Sequence, residues 1–295
     1  MKVSINVKIK KGPWGGGNLF LVNLEKFLKI NGHQVIYHLR DSDIDIILLF
    51  DPRNSSEMIS YTFQDIANYL FYKNSKTKVI HRINECDERK NTKGLNQFFI
   101  SANKVADQTI FVSKWLENIY IQQGLDSSDY KVILSGSDNT IFNQNGKTPY
   151  TPGKNLKIIT HHWGSNWNKG FEVYQALDKL ISERKFSHFE FTYIGNLPKN
   201  FKFKNMKYIP PLVGKELADE LKKHHLYLTA SINEPSGNHH IEGGLCGLPI
   251  LYLESGGVTE YAKNYGLSFN DSNFREKLSQ CRVVRVALGF AAPSQ

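Results

Sequence analysis

The stretch Asn233–Glu260, NEPSGNHHIEGGLCGLPILYLESGGVTE, is the most informative in the chain. Pro235 and Gly237 give it a turn composition, and helical residues begin at once, near Asn238 or His239. Behind them Ile250–Leu253 reads as a strand and Gly256-Gly257 as the loop that follows. A helix starting directly on such a turn leaves its first N–H groups unbonded. They converge on one point together with the positive end of the dipole, and that makes an anion site. Glu234 lies before the turn, just after the strand candidate Leu226–Thr229, and Glu242 lies near the end of the first helical turn. The two carboxylates flank the anion position rather than pair with each other. A hydrolase wants two carboxyl groups about 5–9.5 Å apart across the scissile bond, and an anion-binding turn between them suits an anionic ligand better.

Working outward, short β-branched runs alternate with helical periodicity, the pattern of parallel sheets with crossover helices. The first half offers strands at Val3–Ile9, Gln34–His38, Ile44–Phe50, Val79–Ile83, Thr109–Val112 and Lys131–Leu134. The helix Leu19–Ile30 places Leu21, Leu24, Phe27 and Leu28 on one face. A Pro/Gly stretch with Gly146, Pro149, Pro152 and Gly153 then reads as a linker. The second half offers strands at Leu156–Thr160, Phe189–Ile194, Tyr208–Ile209, Leu226–Thr229 and Ile250–Leu253, with helices near Phe171–Ser182, Lys215–His224 and His239–Cys246. The expectation is an α/β chain of two Rossmann-like domains facing a cleft: a first domain over 1–143, a linker over 144–154 and a second domain over 155–280. The last stretch, CRVVRVALGFAAPSQ, lacks the Lys and Asn that fill the rest. It reads as an atypical tail over 281–295, foreign or frame-shifted, which would leave the second domain incomplete.

The 295 residues carry a formal net charge of +9. A basic balance favours anionic partners, but the lysines are scattered among acids and no nucleic-acid-binding spacing is present, so nucleic acid is not expected. No run approaches the roughly 20 apolar residues of a membrane helix, and the N-terminus lacks an apolar signal core. Cys86, Cys246 and Cys281 are odd in number and form no CxxC. They read as reduced thiols of a cytoplasmic protein, with peripheral membrane contact left open. The loop Gly12–Asn18 is not GxGxxG, and no acidic residue ends the second strand, which argues against a dinucleotide-dependent dehydrogenase.

The residues of the opening stretch resemble the signature of the retaining glycosyltransferases of family 4, with the GT-B fold. Glu234, seven residues, Glu242, then Cys246-Gly247-Leu248-Pro249, a strand and Gly256-Gly257-Val258-Thr259-Glu260 all match it. The resemblance covers about residues 1–280 and is weaker in the first half. It implies that Glu242 bonds the ribose hydroxyls, that Glu234 contacts the transferred sugar in a catalytic role, and that the N–H groups around Gly237, Asn238 and His239 face the diphosphate or sugar. Lys169 matches the phosphate-binding lysine. The usual partner arginine is missing, and His161 or His162 lies nearest; His162 is taken as the donor contact. Leu212 and Val213 fall where the family's main chain touches the base. In the first half, Gly16 and Gly17 match the glycine-rich loop near the donor phosphate, and Pro13 and Trp14 belong to that loop. His81, at the end of its strand, matches a cleft-facing catalytic histidine, and Ser135-Gly136-Ser137-Asp138 stands before the linker.

The activity implied is transfer of a hexose from a UDP- or GDP-sugar to a saccharide or lipid-linked acceptor, as in polysaccharide biosynthesis, with retention of configuration. No cofactor or metal is expected, since the donor is a substrate and Asp43-Ile44-Asp45 precedes its strand rather than ending one. The alternatives are a sugar-nucleotide epimerase or phosphorylase of the same fold, and a non-catalytic remnant that binds a sugar nucleotide.

Overall fold

The computed structural model describes residues 1–10, 12, 15–54, 56–126 and 129–287, with side chains as far as Cys281. Pro13 and Trp14 of the first loop and the 288–295 end of the tail lie outside them. The chain divides into two compact units, Met1–Leu134 and Ser135–Gln295. The division precedes the stretch 144–154, which belongs to the second unit. There the Thr148 N–H donates to the Lys222 carbonyl at 2.9 Å, and Tyr150 packs against the unit's core.

Unit 1 holds six parallel strands, β1 (Lys2–Ile5), β2 (Gln34–Ile36), β3 (Ile46–Leu49), β4 (Lys78–Ile83), β5 (Gln108–Phe111) and β6 (Tyr130–Val132). Their order across the sheet is β2-β1-β3-β4-β5-β6. The helices between them are α1 (Gly16–Ile30), α2 (Phe63–Tyr72), α3 (Asp87–Lys90), α4 (Leu95–Asn103) and α5 (Lys114–Gln122). Neighbours along β3 serve opposite faces: Ile47 and Leu49 pack with Ile66 and Tyr69 of α2, while Leu48 packs with Leu21 of α1.

Unit 2 holds β7 (Leu156–His162), β8 (Phe189–Gly195), β9 (Lys207–Ile209), β10 (Leu226–Thr229), β11 (Ile250–Leu253) and β12 (Gly266–Phe269), again all parallel, in the order β12-β11-β10-β7-β8-β9. Its helices are α6 (Phe171–Leu180), α7 (Gly214–Leu221), α8 (Asn238–Leu245), α9 (Val258–Ala262) and α10 (Phe274–Ala287). A parallel sheet covered on both faces needs unbroken apolar strands, since successive side chains go to opposite sides. Ile158, Leu226, Leu228, Leu251 and Leu253 accordingly meet Phe171, Tyr174, Leu177 and Leu180 of α6. Ile159, Tyr227, Ile250 and Tyr252 meet Leu217, Ala218 and Leu221 of α7 on the other face.

Every strand expected from the sequence is present, and β12 is an addition. The composition break at Cys281 falls within α10. Phe274, Leu278 and Cys281, one helical turn or two apart, enter the same core as α6, and the backbone stays helical to Ala287. Among the described residues no helix is long and apolar enough to cross a membrane. All three cysteines are buried and unpaired with one another. Burial pushes the Cys86 and Cys246 thiols up to about 12, which leaves them unreactive.

Candidate functional site

In unit 2 the chain runs from β7 outward to β8 and β9, then returns to place β10 on the other side of β7. The loops leaving β7 and β10 diverge there, and open α/β sheets take ligands at such a switch point, beyond the carboxyl ends of the strands. His161 and His162 end β7, and Lys169 closes the 3-10 turn Trp167–Lys169 that follows. Glu234 lies just beyond β10, and His239, His240 and Glu242 lie on α8.

Lys169 and Glu234 form a direct ion pair across the switch point, and both are almost fully buried, at 8% and 5% exposure. Two close backbone approaches hold it. Gly170, at φ 95°, sits so near Ala230 that a methyl there would lie 2.6 Å from the Ala230 Cβ, and the Ile232 N–H donates to the Asn168 carbonyl at 2.7 Å. On the other side the Gly257 N–H donates to the Glu234 carbonyl at 2.9 Å. A methyl on Gly256, at φ 63°, would come within 2.6 Å of the Glu234 backbone. The Gly-Gly pair thus lets the loop after β11 press against Glu234.

Glu242 has a separate partner. Its Oε2 accepts from His161 Nε2 at 2.9 Å, and the Ser137 hydroxyl lies 3.5 Å from Oε1. A carboxylate only accepts, so Nε2 carries a proton. The Tyr227 hydroxyl, 3.1 Å from Nδ1, holds the other side of the ring. Tyr227 fits beneath α8 because residue 243 is glycine: a methyl there would lie 2.4 Å from the Tyr227 ring.

His162 has turned inward. Its Nε2 lies 2.6 Å from the Tyr174 hydroxyl, and its ring packs on His239 with centroids 4.5 Å apart. His239 in turn bonds Thr229 Oγ1 at 2.9 Å through Nε2. Burial first, then Lys169, holds His162 well below its ordinary range. Burial first, then His162, does the same to His239. Burial lowers His240 to about 3. These three rings are neutral at neutral pH.

Gly237, at φ 77°, caps α8 without a side-chain bond, and Asn238 begins the helix. The first-turn N–H groups of Asn238, His239 and His240 have no acceptor within the helix. Leu212 packs against the unit's core, and the half-exposed Val213 caps α7. Lys169, Glu234, Glu242, Gly237, Asn238, His239 and His162 are therefore brought into one region of unit 2, with Leu212 and Val213 after β9. The remaining residues lie in unit 1. Gly16 and Gly17 open α1, and a methyl on Gly17 would rest 3.4 Å from the Phe50 ring. His81 does not end its strand, because β4 runs on to Ile83. Its ring is fully buried, its Nδ1 lies 2.8 Å from Asn103 Oδ1, and burial lowers it to about 4. Among the described residues no group of His, Cys, Asp and Glu is arranged to hold a metal.

Sequence reading missed Tyr227, Tyr174 and Thr229, since aromatic and β-branched residues inside a strand or helix read as core. It also chose His162 for the contact nearest the missing arginine, whereas His161 is the ring joined to Glu242. On a strand, neighbouring side chains point to opposite faces, and only the sheet's surroundings tell which face is the site.

No family model matches the chain, and no curated protein matches it in sequence. Solved structures do match. Anabaena HepE in complex with UDP and glucose superposes with a TM-score of 0.65 at 13% identity, over 97% of this chain and 89% of that one. A glycosyltransferase from Rickettsia africae gives 0.66 at 15% identity, over 97% and 88%. Sucrose-phosphate synthase from Thermosynechococcus elongatus gives 0.64 at 12% identity, over 97% and 89%. By fold, with two six-stranded parallel α/β units, the chain stands with the GT-B glycosyltransferase structures.

Proposed function

We propose that the chain is a glycosyltransferase of the retaining, family 4 type, moving a sugar from a UDP- or GDP-sugar held by unit 2 to a saccharide or lipid-linked acceptor. The observation that carries this reading is the buried Lys169–Glu234 pair at the switch point, beside the uncapped start of α8. A cation, a helix N-terminus and a carboxylate in one place suit a diphosphate joined to a polyhydroxyl group. That the HepE structure contains UDP and glucose supports the same reading.

In this reaction the bond between the anomeric carbon and the phosphate oxygen breaks, and charge develops on the departing diphosphate. Lys169 and the α8 N–H groups stabilise it in place, with little reorganisation at the moment of transfer. Glu234 accepts hydrogen bonds from the sugar hydroxyls. Glu242, steadied by His161, accepts from the ribose hydroxyls. The main chain at Leu212 and Val213 meets the base. The acceptor hydroxyl attacks from the face the diphosphate leaves, and its proton passes to the leaving phosphate oxygen, so configuration is retained. Charge compensation comes from the protein, and the reading calls for no resident metal or cofactor. His81, sealed in β4 and bonded to Asn103, takes no part.

The test is nucleoside diphosphate release across a panel of UDP- and GDP-sugars, with and without saccharide and lipid-linked acceptors. Release that requires an acceptor, with the sugar recovered on it in the donor's configuration, supports the proposal. Release driven by inorganic phosphate would make the chain a phosphorylase. Binding without turnover would make it a sugar-nucleotide-binding remnant.

A further inference from the structure

Drawing Lys169 onto a diphosphate has a consequence for Glu234. The pair is buried, and withdrawing the cation from a buried carboxylate is strongly unfavourable unless another donor compensates. His240 is fully buried, and neither of its ring nitrogens has a hydrogen-bond partner among the described residues. A neutral imidazole always carries one N–H, and leaving that group unbonded in the interior costs stability. The ring is also close to Glu234. A methyl built on Gly237 would lie 3.0 Å from His240 Cε1 and 3.1 Å from Glu234 Cγ, so one point beside Gly237 is in contact distance of both. Both ring nitrogens flank that Cε1.

We propose that His240 is a positioning residue of the donor site, whose ring N–H takes over the Glu234 carboxylate when a bound diphosphate draws Lys169 away. The proposal rests on the donor reading of unit 2. The other groups around the ring are already engaged. His239 lies with centroids 5.0 Å away and has its Nε2 on Thr229. Tyr261 lies edge-on at 5.4 Å, its hydroxyl accepting from the Ser135 N–H at 2.8 Å. The ionisable groups that act on the ring are Glu234, Lys169 and His161. Burial holds the imidazole far below its ordinary range, and the neutral ring offers one N–H and one acceptor nitrogen. Glu234 then keeps its place against the sugar while the lysine serves the phosphate.

The hand-off is testable without any ligand, because Lys169→Met mimics the departed lysine. Thermal unfolding of the full chain would be measured for His240→Leu, Lys169→Met and the double variant. Alone, His240→Leu should shift the midpoint by less than about 2 °C, since it also removes an unbonded N–H. In the Lys169→Met background it should lower the midpoint by a further 4–8 °C or so, and His240→Gln, which keeps an N–H, should restore part of that. Additive shifts would overturn the proposal. A second arm titrates UDP and GDP by calorimetry, and decides the matter if Lys169→Met does not fold. His240→Leu should weaken binding about tenfold or more, while His240→Gln stays within about threefold of wild type. Equal affinity in all three overturns the hand-off alone. If neither nucleotide binds the wild type, the donor reading falls and the hand-off with it.

Discussion

Replacing Lys169 with alanine separates two effects that the structure places on one side chain. With both partners of the Lys169–Glu234 pair almost fully buried, truncation takes the cation away from a carboxylate in a low-dielectric interior, a loss of about 3–5 kcal/mol. For a unit of this size that lowers the thermal midpoint by about 10 °C. Replacing both partners at once, as Lys169→Met with Glu234→Leu, should recover most of the loss, because the carboxylate goes with its cation. The second effect is on binding. A charged hydrogen bond to phosphate contributes about 1.5–3 kcal/mol, so UDP or GDP should bind about 10- to 150-fold more weakly to Lys169→Ala. Scanning unfolding followed by calorimetry with each nucleotide measures both quantities on one preparation. A variant that is destabilised yet binds nucleotide as tightly as wild type would refute the phosphate contact and leave Lys169 only a structural role.

Glu234→Gln should abolish transfer while nucleoside diphosphate stays bound, and Glu242→Ala should weaken the nucleotide itself; equal losses of nucleotide affinity in the two would show the roles wrongly divided. Gly170→Ala puts a methyl 2.6 Å from the Ala230 Cβ at a left-handed φ, and should cost about 2–4 kcal/mol and weaken nucleotide binding by displacing Lys169. Thermal melts at fixed ionic strength would show the first, and an unchanged midpoint would mean that the Lys169 turn is more pliable than described. The fold should also be acid-sensitive. His81, His162, His224, His239 and His240 are all held below their ordinary range, burial being the first cause in each. The unfolded chain protonates them below about pH 6.5 while the folded chain does not, so their contribution is present above that pH and is lost as pH falls. Each takes away about 1.4 kcal/mol per pH unit until its folded value is reached, near 4 for His81 and His224 and near 3 for His240. A midpoint that is flat between pH 6.5 and 4.5 would contradict this.

Much of the fold was legible because its signal is local. In runs such as Ile250–Leu253 and Leu226–Leu228 every residue is aliphatic or aromatic, as suits a strand covered on both faces. The turn at Pro235–Gly237 and the carboxylates on either side of it were legible for the same reason. β12 was not. Its residues Gly266–Phe269 are mostly half-exposed, with only Phe269 buried, because an edge strand has a neighbour on one side alone. The stretch 144–154 has a linker's composition, yet its backbone is bonded into unit 2, a contact that composition does not encode.

By itself, then, the sequence determined two α/β sheets, a helix start at Gly237 and the two glutamates beside it. Tertiary structure decided which side chains those glutamates meet. Lys169 reaches Glu234 across 65 positions of sequence, and His161 reaches Glu242 across 81. Both pairings follow from β10 lying beside β7 rather than beside β9. The same order buried His162 and His240, while in unit 1 the place of β4 between β3 and β5 buried His81. Local pattern fixes which residues form a strand, but the neighbour of that strand is chosen by the packing of the whole unit, and a site at strand ends inherits that choice.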